Sequence, residues 1–225
     1  TARKLGIRTY LMNHTENGFP QAFYHFPYPW GENPEFLQFL GAVMAAAGET
    51  ASMAGDKFRG SAGTDARRRY RTPYDLGWGN RVKFDHDFVG RAALERIAAA
   101  PERTIVTLEW DVDDILDVVR SQYDDPNHFT FTYGGSELWA DEVWSGDELV
   151  GISSGRCYTL HSRRMISLAS LRTDLAVEGT VVDVLWGDPG TRQKRIRATV
   201  ARYPYLDAPR NQSIDVARHS VLTGA

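Results

Sequence analysis

The chain of 225 residues has a single cysteine, Cys157, which excludes an internal disulfide and any multi-cysteine metal cage. No apolar run reaches the length that a membrane-crossing helix needs. Charge of one sign is not in excess either. A net charge of −3 gives no general attraction to nucleic acid or to an anionic membrane, so neither is expected as a partner. The six histidines, His14, His25, His86, His128, His161 and His219, show no paired i, i+4 spacing, and no metal site is expected. A nucleophile-elbow serine, a phosphate-binding loop and a dinucleotide fingerprint are also missing. The first residues, Thr1-Ala2-Arg3-Lys4-Leu5, hold neither a methionine nor a signal-peptide core, and a helical pattern begins almost at once. The chain therefore reads as one piece of a larger protein, at home in a reducing cytoplasm.

What is present is an ordinary globular composition, 42% hydrophobic and 24% charged, in a chain long enough to bury a real core. Leu5, Ile7, Tyr10 and Leu11 recur at helical intervals until Gly18 and Pro20. Phe19 to Trp30 is aromatic and broken by prolines, which predicts an ordered loop. Asn33-Pro34-Glu35 is a helix start that leads on to Gly48, and a small, polar stretch follows over 48–66. Gly90 to Ala100 predicts a short helix, Arg103 to Trp110 a strand, and Val112 to Gln122 a helix with Ile115, Leu116 and Val119 on one face. Beyond about Gly135, short apolar runs at 149–153, 165–171, 180–186 and 196–201 alternate with turn residues. That spacing predicts a small antiparallel barrel or sandwich. A domain boundary is expected near residue 101.

Three stretches carry the most information: Thr72-Pro73-Tyr74-Asp75-Leu76-Gly77-Trp78, then Lys83 followed by Asp87-Phe88-Val89-Gly90-Arg91-Ala92-Ala93-Leu94, then Gly146-Asp147-Glu148-Leu149-Val150-Gly151-Ile152-Ser153-Ser154-Gly155. Their order and spacing resemble the C-terminal half of the glycine-cleavage T-protein superfamily, tetrahydrofolate-dependent aminomethyl- and methyltransferases. The resemblance implies an α+β chain, with part of a folate-binding α/β domain over 1–101 and a small antiparallel β-barrel domain over 102–225. It implies tetrahydrofolate as cofactor and, as a partner, the N-terminal half of the same enzyme or a partner chain.

Within that resemblance, Glu16 falls two residues before Gly18, where the family has its pterin-binding glutamate; a carboxylate suits the ring N–H and exocyclic amino group of a pterin. Read on its own, Glu16 is a solvated residue at a helix end. Arg71, in the cationic run with Arg67, Arg68 and Arg69, could pair with folate carboxylates or simply face water. Trp78 could stack on the folate or belong to the core. Lys83 and Arg81 match basic positions before the D-F-x-G turn, which reads as structural, with Asp87 holding backbone N–H groups and Phe88 packed inward. Tyr70 is the catalytic candidate, a phenol beside cations that could protonate or orient an aryl-ether oxygen; half-buried packing is its plainer reading.

The position after the D-F-x-G turn lacks the cysteine of the iron–sulfur assembly branch. The aromatic insertion at Phe19–Trp30 resembles the aryl (vanillate and syringate) O-demethylase branch instead. The expected reaction is thus removal of a methyl group from a small methoxylated aromatic. An aminomethyltransferase of the glycine-cleavage type and a non-catalytic folate-binding module are the alternatives.

Overall fold

In the computed structural model, residues 58–63, 68, 70–131, 138–159 and 162–206 are described, together with Glu35, Gln38, Phe39 and Ala42. The last four are helical, in the stretch that Asn33-Pro34 opens. The helix expected over 2–17, the aromatic loop over 19–30 and Glu16 lie outside the described residues.

Seven strands and two α-helices build the described part: β1 (Phe58–Arg59), α1 (Arg91–Ala99), β2 (Arg103–Trp110), α2 (Val112–Asp124), β3 (Leu138–Ser145), β4 (Glu148–Thr159), β5 (Arg164–Arg172), β6 (Val181–Trp186) and β7 (Lys194–Ala201). Six strands run β3-β4-β5-β2-β7-β6, every neighbour antiparallel, and the sheet closes on itself where Val143 and Trp144 of β3 pair with Val184 and Asp183 of β6. The result is a six-stranded barrel, and closure removes the open edges that a flat sheet would expose. Before that closure, β1 runs parallel to β3, with Phe58 opposite Leu138 and Arg59 opposite Trp139.

The expected barrel is present, and it holds two strands besides the four short runs expected after Gly135. β2, well before Gly135, pairs with both β5 and β7. β3, a strand that sequence reading did not pick out, sits between β4 and β6. Its run Leu138-Trp139-Ala140-Asp141-Glu142-Val143-Trp144 mixes acidic residues among apolar ones, so simple alternation is obscured.

Period-2 alternation fills the interior. Val106, Leu108 and Trp110 of β2, Val182, Val184 and Trp186 of β6, and Ile196, Ala198 and Val200 of β7 share one core. Trp110 meets Trp186 edge-on at 5.9 Å and donates its indole N–H to Ser167 Oγ at 2.9 Å. Helix α2 begins at Asp111, whose carboxylate accepts from the Asp114 backbone N–H, and carries Asp113 and Asp114 in its first turn, where negative charge suits the helix dipole. Its inward face is Ile115 and Val118, with Val118 fully buried. That corrects the expected face: Leu116 is 47% exposed. The barrel meets α2 along the i, i+3 line through 115 and 118, and both placements fit the same helical period.

The D-F-x-G turn also differs in detail. Gly90, at φ 90°, is the residue that starts α1, and no side chain caps it. Asp87 is exposed and takes a contact from Arg91 at 3.3 Å, while Phe88 stacks on Phe84 at 6.3 Å. Backbone freedom at Gly90 makes a carboxylate cap unnecessary. Among the described residues no helix is long and apolar enough to cross a membrane, and no cluster of His, Cys, Asp and Glu could hold a metal ion.

Candidate functional site

The barrel is not equally wet all round. On β7, buried and exposed residues alternate strictly, as on a sheet with one solvated face. On β2, β4 and β5 four or more consecutive residues are buried, so both faces are covered. The outer face of these strands carries a second apolar cluster of Ile105, Ile152 and Leu168 with Ala140 of β3, joined by Ala62 and Leu76 from the segments laid over it. The T-P-Y-D-L-G-W stretch is one of those segments.

Its residues explain its shape. Asp75 Oδ2 accepts from the Thr72 backbone N–H at 3.0 Å, and the Asp75 N–H returns a bond to Thr72 Oγ1 at 3.2 Å. This reciprocal pair folds the stretch into a tight loop. Gly77 and Trp78 donate backbone N–H groups to the carbonyls of Tyr74 and Pro73 at 3.1 and 2.8 Å. Gly77 has φ 73°, and a Cβ there would stand 2.8 Å from Ile105 Cγ2, so glycine alone lets the loop lie this close to β2. Leu76 is buried on the second cluster, and Trp78 packs against it beside Tyr203.

Arg71 stands at the head of this loop. Its Nη1 donates to the carbonyls of Arg68 and Tyr70 at 2.9 and 2.7 Å, and its Nε and Nη2 are shut off from solvent. Burial, then the charge of Arg103, push its pKa down to about 10, and Asp75 partly opposes them. Asp75 is buried, with Oδ1 4.0 Å from Arg103 Nε. Arg103 in turn lines a cavity of about 790 Å³ with Arg68, Arg172, Leu149, Val150 and Ile152.

The sequence-derived candidates are thus partly gathered. Tyr70, half-buried, adjoins Arg71 in the chain, and its carbonyl receives Arg71. Trp78 lies at the other end of the same loop, half-buried. Lys83 is exposed beyond it. Sequence reading missed Asp75, Arg103 and Arg172: the first is part of a motif, the second opens the expected strand, and the third lies just past the expected run over 165–171. A charged residue at each end of a buried strand was the available signal.

A second charged group lies within the barrel. Arg156 reaches Asp141 at 3.5 Å, both almost completely buried, and its guanidinium lies 3.4 Å from the Trp139 ring centre and 3.8 Å from that of Trp186. The Ser153-Ser154-Gly155 motif ends here: β4 bulges between Ser154 and Cys157, with Gly155 at φ 64°.

Comparison with known proteins finds two similar enzymes. The chain is 43% identical to the sesamin methylene transferase of Sinomonas sp. strain No.22 over 231 aligned residues, covering 95% of this chain and 50% of the relative. It is 33% identical to the syringate O-demethylase of Sphingobium sp. strain SYK-6 over 228, covering 94% of this chain and 47% of the relative. The chain is a homologue of these two enzymes over nearly its whole length. It spans about half the length of both, and the matched part is their C-terminal half. The glycine cleavage system aminomethyltransferase T of Bartonella henselae superposes with a TM-score of 0.40 at 16% identity, over 60% of this chain and 32% of that one. No protein-family model matches the chain.

Proposed function

We propose that this chain is the C-terminal half of a tetrahydrofolate-dependent one-carbon transferase that removes methyl groups from methoxylated aromatic compounds. In this reading, residues 1–101 complete a folate-binding domain and 102–225 form the barrel domain. The observation that carries it is the similarity along nearly the whole chain to two enzymes, one named for moving a methylene group from sesamin and the other for demethylating an oxygen of syringate.

In this reading, described residues meet a folate at its carboxylate and aromatic parts. Arg71, a buried cation whose pKa burial and then Arg103 lower to about 10, is the proposed partner of a folate carboxylate. Trp78 offers a half-buried indole on the same loop, and Lys83 a cation beyond it. Glu16, the proposed pterin ligand, lies outside the described residues. When bound, tetrahydrofolate supplies the nitrogen that accepts the one-carbon unit.

The role of this chain is to meet charge. An aryl oxide leaves readily only when a donor stabilises it, and Tyr70 is the donor proposed here. The cofactor-side residues are Glu16, Arg71, Trp78 and Lys83. The test is to incubate a full-length protein that contains this chain with tetrahydrofolate and a methoxybenzoate. Formation of 5-methyltetrahydrofolate and the free phenol supports the reading; no transfer from any methoxybenzoate counts against it.

The higher identity to the methylene transferase favours a second reading, in which the donor is a methylenedioxy aromatic. A methylenedioxybenzene in the same assay separates the two. An aminomethyl donor in a third arm covers the glycine-cleavage type of reaction.

A further inference from the structure

We propose that the cavity on the covered face of the barrel binds an organic carboxylate with an apolar body, and that Arg103 and Arg172 hold the carboxylate. The two arginines are directly opposite residues of β2 and β5. Like charges placed opposite each other destabilise a sheet unless something stands between them. Within the described residues that neutralisation is incomplete on one side and exposed on the other.

Arg103 has Asp75 as its nearest ion-pair partner, 4.0 Å away and beyond hydrogen-bonding distance. Its Nε is shut off from solvent and has no hydrogen-bond partner. Asp75 gives its other oxygen to the Thr72 N–H. The buried Arg71 is a further cation near Arg103, and its pKa is lowered first by burial and then by the charge of Arg103. Arg172 is paired, through Nε to Asp174 at 2.7 Å and through Nη1 to Glu148 at 3.0 Å, but those carboxylates are 60% and 70% exposed. Pairs so open to water are weak and readily exchanged. Arg68, also in the cavity wall, is paired with Glu142.

A guanidinium fork takes a carboxylate through two parallel N–H···O bonds. The rest of the wall includes Leu149, Val150 and Ile152, which suit an apolar body and give nothing to a hydrated ion. Glu102 and Asp174 also line the cavity, and their charge disfavours a polyanion such as a nucleotide. One carboxylate on a planar ring meets these conditions. That the ring is a methoxylated aromatic acid rests on the function proposed above; that the ligand carries a carboxylate rests on the arginines.

The experiment is calorimetry on the 225-residue chain with 4-hydroxy-3-methoxybenzoate, its uncharged aldehyde and p-aminobenzoylglutamate. The acid is expected to bind at least about tenfold more tightly than the aldehyde. Arg103→Gln and Arg172→Gln should each weaken the acid by about tenfold, with Arg172→Lys between them and the native chain. Glu148→Gln removes an internal competitor from an exposed position and should tighten binding, a gain that misfolding cannot imitate.

Equal binding of acid and aldehyde, no binding of any probe, or binding indifferent to both arginines overturns the proposal. Arginine-dependent binding of p-aminobenzoylglutamate alone keeps the carboxylate site and assigns it to the tail of a folate. Failure of methyl transfer in a full-length protein, with arginine-dependent binding intact, removes the proposed reaction and leaves the site. Transfer with binding indifferent to the arginines does the reverse.

Discussion

Asp141 of β3 and Arg156 of β4 form an ion pair inside the barrel, 3.5 Å apart, with side-chain exposures of 1% and 6%. Burial lifts the Asp141 pKa to about 6 from an ordinary 3.8, against the pull of Arg156 and a hydrogen bond from the Ser61 backbone, and Asp188 adds to the rise. The enclosing protein disfavours the charged carboxylate more than the guanidinium favours it.

The pH dependence of stability follows from that direction. A carboxyl whose pKa is higher folded than unfolded contributes stability that is fully present below about 4 and is lost as pH rises through 6. Thermal melts of the native chain and Asp141→Asn between pH 4 and 7 should therefore converge or cross as pH rises, with the native chain losing ground. Parallel curves would remove Asp141 as the titrating group. Arg156→Ala leaves the carboxylate buried without its cation and should cost about 3–5 kcal/mol at neutral pH, read by chemical denaturation.

The inward line of α2 is testable by a pair of truncations. Val118→Ala opens space in the barrel core and should cost about 1–3 kcal/mol. Leu116→Ala, two positions earlier and 47% exposed, should stay within about 0.5 kcal/mol of the native chain. Equal losses would mean that the helix presents a different face.

At Gly77, a Cβ meets both a left-handed backbone and a wall 2.8 Å away. Gly77→Ala should lower stability by about 1–3 kcal/mol and loosen the loop between Thr72 and Trp78 from β2. Hydrogen exchange at the Gly77 and Trp78 amides reports the loosening directly, and unchanged protection there would refute the close docking.

For the proposed reaction, Tyr70→Phe in a full-length protein should lower kcat far more than it changes substrate binding, because the phenol would act on charge that develops as the aryl oxide leaves. Steady-state kinetics with a methoxybenzoate check it; equal kcat values would discard Tyr70 and leave the reaction standing. Glu16→Gln should weaken tetrahydrofolate binding by about 1–3 kcal/mol, measured by calorimetry.

The sequence by itself determined the barrel's wet side and its punctuation. The alternation in β7 and the turn residues between β5, β6 and β7 are local signals, set by the two-residue period of a strand and by the backbone freedom of glycine. The family resemblance was also legible, because its motifs lie where geometry leaves little choice: Gly77 against Ile105, and Gly155 at the β4 bulge. Tertiary structure decided the rest. β3 hides its alternation because Asp141 points a charge into the core toward Arg156, a residue fifteen positions away. Arg103 and Arg172, sixty-nine positions apart, become neighbours only when β2 and β5 pair, and Asp75 comes near Arg103 only when its loop lies on β2. Strand pairing and loop docking are long-range events, and no local period in the chain encodes which charges they will bring together.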